Sequence, residues 1–112
     1  MKVSELFVTI HVADMKRATA FYVDVFGATV SFASATWSSL MIAGVRLGLF
    51  HDASHPGGRT GLHLVVSELG PALGDIERAG GRIIVEPIEV AAGVVIAELA
   101  DPEGNLITLR AA

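Results

Sequence analysis

The chain contains no cysteine. That absence excludes disulfides, thiolate-bound zinc and cysteine nucleophiles together. Basic residues are few as well: eight Lys and Arg lie scattered along 112 positions, and the formal charge is −4. A nucleic-acid binder needs a clustered Lys/Arg face to displace phosphate counterions, so that function class is set aside. No apolar run approaches the ~18 residues that cross a bilayer. The opening Met-Lys-Val-Ser-Glu-Leu-Phe lacks the long apolar segment and small-residue cleavage site of a secretory leader. The expectation is a cytoplasmic protein that binds neither membrane nor nucleic acid. Low-complexity segments are absent.

What is present is apolar and evenly spread: hydrophobic residues make up 52% of the chain. A chain of this length buries roughly 65% of its unfolded surface, enough for one core, and the length is that of one domain. The sequence also repeats itself. With an offset of 54, 12-VADMKRATAFYVDVFGATV-30 lies over 66-VSELGPALGDIERAGGRII-84. Val12 falls on Val66, Asp14 on Glu68, Ala18 on Ala72, Gly27 on Gly81 and Val30 on Ile84.

Local patterning gives both copies one plan. Residues 5–12 alternate, with Leu6, Val8 and Ile10 on one side and Phe7, Thr9 and His11 on the other, as in a half-buried strand. Asp14 is a good N-cap for a helix over 15–25, whose stripe is Ala18, Phe21, Tyr22 and Val25. Gly27 stops that helix. Strands are expected over 28–33, 36–42 and 45–51. A second strand–helix pair is expected over 61–66 and 68–79, with Pro71 in the first helical turn where its missing N–H costs little. Strands over 82–89, 94–100 and 105–110 complete the plan. The chain is thus read as one domain over 1–112, with module one at 1–52, a Gly/Pro/Ser-rich linker at 53–59 and module two at 60–112.

Two stretches then carry a resemblance. The opening Val-Ala-Asp-Met…Ala-Thr-Ala-Phe-Tyr…Val-Phe-Gly-Ala and the closing Leu-Ala-Asp-Pro-Glu-Gly-Asn-Leu-Ile-Thr-Leu resemble the vicinal oxygen chelate superfamily, over about residues 5–110. That group holds glyoxalase I, extradiol dioxygenases, fosfomycin-modifying enzymes and bleomycin-sequestering proteins. The resemblance implies an α+β fold of two tandem βαβββ modules. Their strands would form a cup-shaped, partly open β-barrel with the helices outside. It also implies a homodimer and, in metal-dependent members, four cup-facing side chains that chelate one divalent cation.

Carried over position by position, the resemblance places those four ligands at Phe7, Gly48, Gly61 and Thr108. Phenylalanine and glycine offer no side-chain donor, and one neutral hydroxyl is a weak ligand without carboxylate or imidazole company. No metal and no cofactor are therefore expected at these positions. His11 and His63 also face the cup by alternation, but His63 lies two residues past its position, roughly 6.6 Å along a strand. A displaced site built from His11, His63 and Glu98 is the metal-binding alternative. His51 and His55 are read as a solvated loop, and nothing in the sequence orients Ser54 as a nucleophile.

The expected ligand-binding face comprises Phe7, Thr9, His11, Trp37, Arg46, Phe50, His63, Thr108 and Arg110, with room left by Gly48 and Gly61. Such a face is mostly apolar with a few polar groups, as ligand pockets are. An arginine buried in it would need an anionic partner, which a ligand could supply. The expected function is metal-free sequestration of a small aromatic or apolar molecule, similar to bleomycin-type resistance proteins, with no catalytic residue identified. The alternatives are an enzyme (a lyase, isomerase or dioxygenase) using His11 or His63 as displaced metal ligands or as a general base, and a structural dimer with a filled cup.

Overall fold

A computed structural model describes all 112 residues. The chain divides into two compact units, Met1–His55 and Pro56–Ala112, and the break falls inside the stretch read as a linker. In the first unit the elements are β1 (Val8–Val12), α1 (Met15–Phe26), β2 (Thr29–Phe32), β3 (Trp37–Ile42) and β4 (Val45–His51). The second contains β5 (Gly58–Val66), α2 (Leu69–Arg78), β6 (Arg82–Ala91), β7 (Val94–Ala100) and β8 (Asn105–Ala111). The βαβββ plan is therefore present in both units.

Each unit is one four-stranded sheet, ordered β1-β4-β3-β2 and β5-β8-β7-β6. In both, the first strand lies parallel to the last and the remaining pairs are antiparallel. A parallel pair needs a long connection, which the helix and two hairpin strands supply.

Alternation decides the core. In the first unit Ile10 and Val12 of β1, Leu40 of β3, and Leu47 and Leu49 of β4 are buried together with Ala18, Phe21 and Tyr22 of α1. The register Ile10↔Leu49↔Ser38 keeps these strand residues on one side of the sheet. At the start of α1 the Asp14 side chain accepts a hydrogen bond from the Arg17 amide at 3.0 Å, so the expected N-cap is real. At its end Gly27 adopts φ 67°, and the Gly27 and Ala28 amides donate to the Val23 and Tyr22 carbonyls.

The second unit buries Ile76, Ala97, Leu99, Ile107 and Leu109 in the same way. The closing turn 101–105 is held by Asp101, which is 3% exposed. Its Oδ1 accepts from the Glu103 amide at 2.8 Å and from the Asn105 amide at 2.9 Å. Gly104, at φ 79°, supplies the left-handed step.

Two expectations need correction. The strand expected at 61–66 begins at Gly58, because Gly58 pairs with Asn105 at the start of β8 and its amide donates to the Gly104 carbonyl at 3.0 Å. That strand also fails to alternate evenly. Between Arg59↔Leu106 and His63↔Thr108, β5 spends four residues where β8 spends two. Gly61 takes φ 77° in the resulting bulge.

Candidate functional site

The helix-free side of the first sheet gathers the aromatic residues. Register places Thr9 beside Gly48, His11 beside Phe50, and Phe50 beside Trp37. The Phe7 and Trp37 rings lie edge-on at 6.5 Å, Phe32 and Trp37 at 6.2 Å, and His11 and Phe50 at 5.2 Å. Phe7, Phe32 and Phe50 remain 39%, 54% and 44% exposed. Large apolar side chains are normally covered, so an exposed aromatic group on one face marks a surface able to take a partner or ligand.

Gly48 does not leave room, contrary to expectation. A Cβ there would lie 2.6 Å from Thr9 Oγ1 and 3.0 Å from Trp37 Nε1. The indole and the threonine hydroxyl fill the space that a longer side chain would use. Gly48 is thus a close-approach glycine, with Trp37 and Thr9 crowding its position.

Arg46 has its anionic partner within the chain. Its guanidinium needs no ligand anion, because Nε donates to Glu5 Oε2 at 3.0 Å and Nη1 donates to Ser39 Oγ at 2.5 Å. The same group lies 5.5 Å from the Phe7 ring centre, a cation–π distance. Glu5 precedes the first strand, and no local pattern announces its pairing with Arg46.

On the second unit, the helix-free side carries His63, Thr108 and Glu98 abreast across β5, β8 and β7. Arg59 Nη1 stands 3.6 Å from Glu98 Oε2. The β5 bulge opens a hollow of about 180 Å3 among these four residues, Gly61 and Leu106. Thr60 Oγ1 donates to the Leu106 carbonyl at 2.7 Å where the backbone has left the ladder. Arg110 lies exposed further along β8, beside Val65.

The structure also makes a grouping that sequence reasoning missed. The segment after β4, read as a solvated loop, folds back onto His11. The Asp52 amide donates to the Val12 carbonyl at 2.8 Å, and the His55 amide donates to the Asp52 carbonyl at 3.1 Å. His11 Nδ1 donates to Asp52 Oδ2 at 3.1 Å. Hydrogen bonds from His11 first, and then from Ser54, hold the Asp52 carboxyl below its ordinary value. The His55 ring lies 5.8 Å from that of His11. The signal available beforehand was the parallel pairing of the first and last strands of the module, which brings residue 52 beside the end of the first strand.

At the four positions where the resemblance puts metal ligands, the side chains are thus a phenylalanine, a glycine paved by indole, a glycine in a bulge and a threonine. This donor set does not fit a chelated divalent cation.

Comparison with known proteins agrees with the fold. The family model for the Glyoxalase/Bleomycin resistance protein/Dioxygenase superfamily matches residues 6–109. No curated protein matches the sequence. Among solved structures, the fosfomycin resistance protein FosX from Listeria monocytogenes, complexed with Mn(II) and sulfate, is similar at TM-score 0.80 and 22% identity, over 99% of this chain and 92% of that one. A glyoxalase-related enzyme from Fulvimarina pelagi is similar at TM-score 0.82 and 17% identity, over 98% and 89%. A glyoxalase/bleomycin resistance protein/dioxygenase family enzyme from Burkholderia phytofirmans is similar at TM-score 0.79 and 22% identity, over 94% and 95%. At these identities the likeness speaks for the fold alone.

Proposed function

The chain belongs to the Glyoxalase/Bleomycin resistance protein/Dioxygenase superfamily, and from that premise we propose that it binds a small aromatic or apolar molecule without a metal at the family's ligand positions. The binding face is the helix-free side of the first sheet, with Phe7, Trp37 and Phe50 as walls, and Thr9, His11 and Arg46 as its polar groups. On the second unit, taken by itself, His63, Thr108 and Arg110 are proposed as candidate ligand-binding residues. We further propose a homodimer and a cytoplasmic location; no helix is long and apolar enough to cross a membrane.

The observation that carries this reading is the indole of Trp37 over Gly48. The position where a chelating member would place a ligand is covered by an aromatic surface, and no side chain can be added there without displacing Thr9 or Trp37. Exposed rings on either side extend that surface. Stacking on such a surface is worth about 0.5–1.5 kcal/mol per aromatic pair beyond area burial.

Trp37 is the only tryptophan, so its emission reports directly on the face. Titration of chelator-treated protein with 1-naphthol is expected to quench Trp37 saturably, and Phe7→Ala is expected to weaken binding by about tenfold, on the order of 1.4 kcal/mol. Quenching that never saturates, or is unchanged in Phe7→Ala, contradicts the assignment.

One observation favours a second reading. The Asp52 carboxylate orients the His11 ring through Nδ1 at 3.1 Å, as a carboxylate orients a general-base histidine. A cofactor-free isomerase or oxygenase would use it so. Turnover of a quinol or catechol that His11→Ala abolishes would establish that reading over passive binding.

A further inference from the structure

We propose that His11, Asp52 and His55 form a binding site for one borderline first-row divalent cation, of the zinc class, separate from the position where metal-dependent relatives hold theirs. One ligand atom from each residue lies within 4.8 Å of the other two. Two imidazoles and a carboxylate are the donors that zinc, nickel and copper prefer, and three protein ligands leave the remaining coordination positions to solvent.

The site is built by backbone, not by chance approach of long side chains. His11 stands on β1, paired with Phe50. Asp52 is tied to the same ladder through its amide and the Val12 carbonyl. Its Oδ1 accepts from the Ser54 amide at 3.2 Å and from Ser54 Oγ at 3.1 Å, which turns Oδ2 toward His11. The turn closed by the His55 amide then carries the second imidazole to the pair.

The distances suit a cation. Bonds of about 2.0–2.2 Å in a tetrahedron set ligand atoms about 3.4 Å apart. His11 Nδ1 and Asp52 Oδ2 are already at 3.1 Å. His55, on the turn, has to close the remainder. When the cation binds, the His11 proton moves from Nδ1 to Nε2, so the imidazole stays neutral and offers its Nδ1 lone pair. His11 lies four residues along the strand from Phe7, roughly 13 Å at ~3.3 Å per residue. That separation makes this a different site from the one the family's ligand positions define.

The test uses untagged full-length protein and Co(II) as the spectroscopic probe, with Zn(II) as competitor. The expected result is one equivalent of Co(II), with visible d–d bands that Zn(II) removes. Loss of an outer-shell partner already costs about 10–100-fold in metal affinity, so His55→Ala and Asp52→Asn are each expected to weaken binding at least tenfold. His51→Ala, whose position pairs with Val12 on the opposite side of the sheet, is expected to leave it unchanged. Circular dichroism and the 1-naphthol titration check that each variant remains folded with a working aromatic face. Absence of stoichiometric Co(II) binding overturns the proposal. So does binding that is equal in wild type and folded His55→Ala, or that depends on His51 instead. The site shares His11 with the proposed ligand face, so retention of naphthol binding in a His55→Ala or Asp52→Asn variant that has lost Co(II) distinguishes failure of the cation site from failure of that face.

Discussion

At the scale of single residues, Gly48 and Trp37 act as one feature. Glycine at 48 is required by close approach, since a Cβ would meet Thr9 Oγ1 at 2.6 Å and the indole at 3.0–3.1 Å. Gly48→Ala is expected to destabilise the protein by about 1–3 kcal/mol through overpacking. Thr9→Ala in the same chain should recover part of that loss by removing the nearest atom. Thermal melts of the two single variants and the double variant measure it, and additive losses would show that Thr9 is not the obstacle. The residues of the helix-free face were legible in the sequence because alternation places Phe7, Thr9 and His11 on one side of a strand. Their partners were not. Glu5 meets Arg46 and His55 meets His11 across 41 and 44 positions of chain, and no local pattern reports such a pairing. His51-Asp-x-x-His read as a loop motif, whereas the histidine that joins Asp52 and His55 is His11.

At the scale of elements, periodicity and capping placed all eight strands and both helices to within three residues. The signals were strong where a cap or a turn fixes an end: Asp14 and Gly27 bound α1, and the Asp101 carboxylate holds the turn into β8. They were weak where a strand is irregular. Even alternation through Gly61 fails, because β5 carries two extra residues against β8. The bulge is what opens the hollow beside His63. An even period cannot anticipate a glycine that turns left-handed inside a strand. Strand β6 offers the next test. It lies at the edge of its sheet, and Ile84, Val85, Ile88 and Val90 on it are exposed. Long apolar edge strands left uncovered invite association, which supports the proposed homodimer. Light scattering on the eluting protein is expected to give twice the 11.7 kDa chain mass, and Ile88→Glu to shift it toward the single-chain value. A monomer at tens of micromolar would contradict the dimer.

At the scale of the whole molecule, the internal repeat and the Asp-Pro-Glu-Gly-Asn ending were enough to reach the superfamily, because a duplicated βαβββ plan is written into hydrophobic spacing. Function was less legible. Membership covers proteins that chelate metals and proteins that sequester ligands, and a fold does not choose between them. Here the choice rests on chemistry at four positions: Phe7, Gly48, Gly61 and Thr108 supply one hydroxyl between them, and Trp37 closes one of the four. The measurement that bears on this most directly is the affinity for 1-naphthol, followed by Trp37 emission, in protein stripped by chelator and again after Mn(II), a cation that favours oxygen ligands, is restored. The same dissociation constant within about twofold is predicted for both samples; binding that disappears with the metal and returns with it would contradict the account.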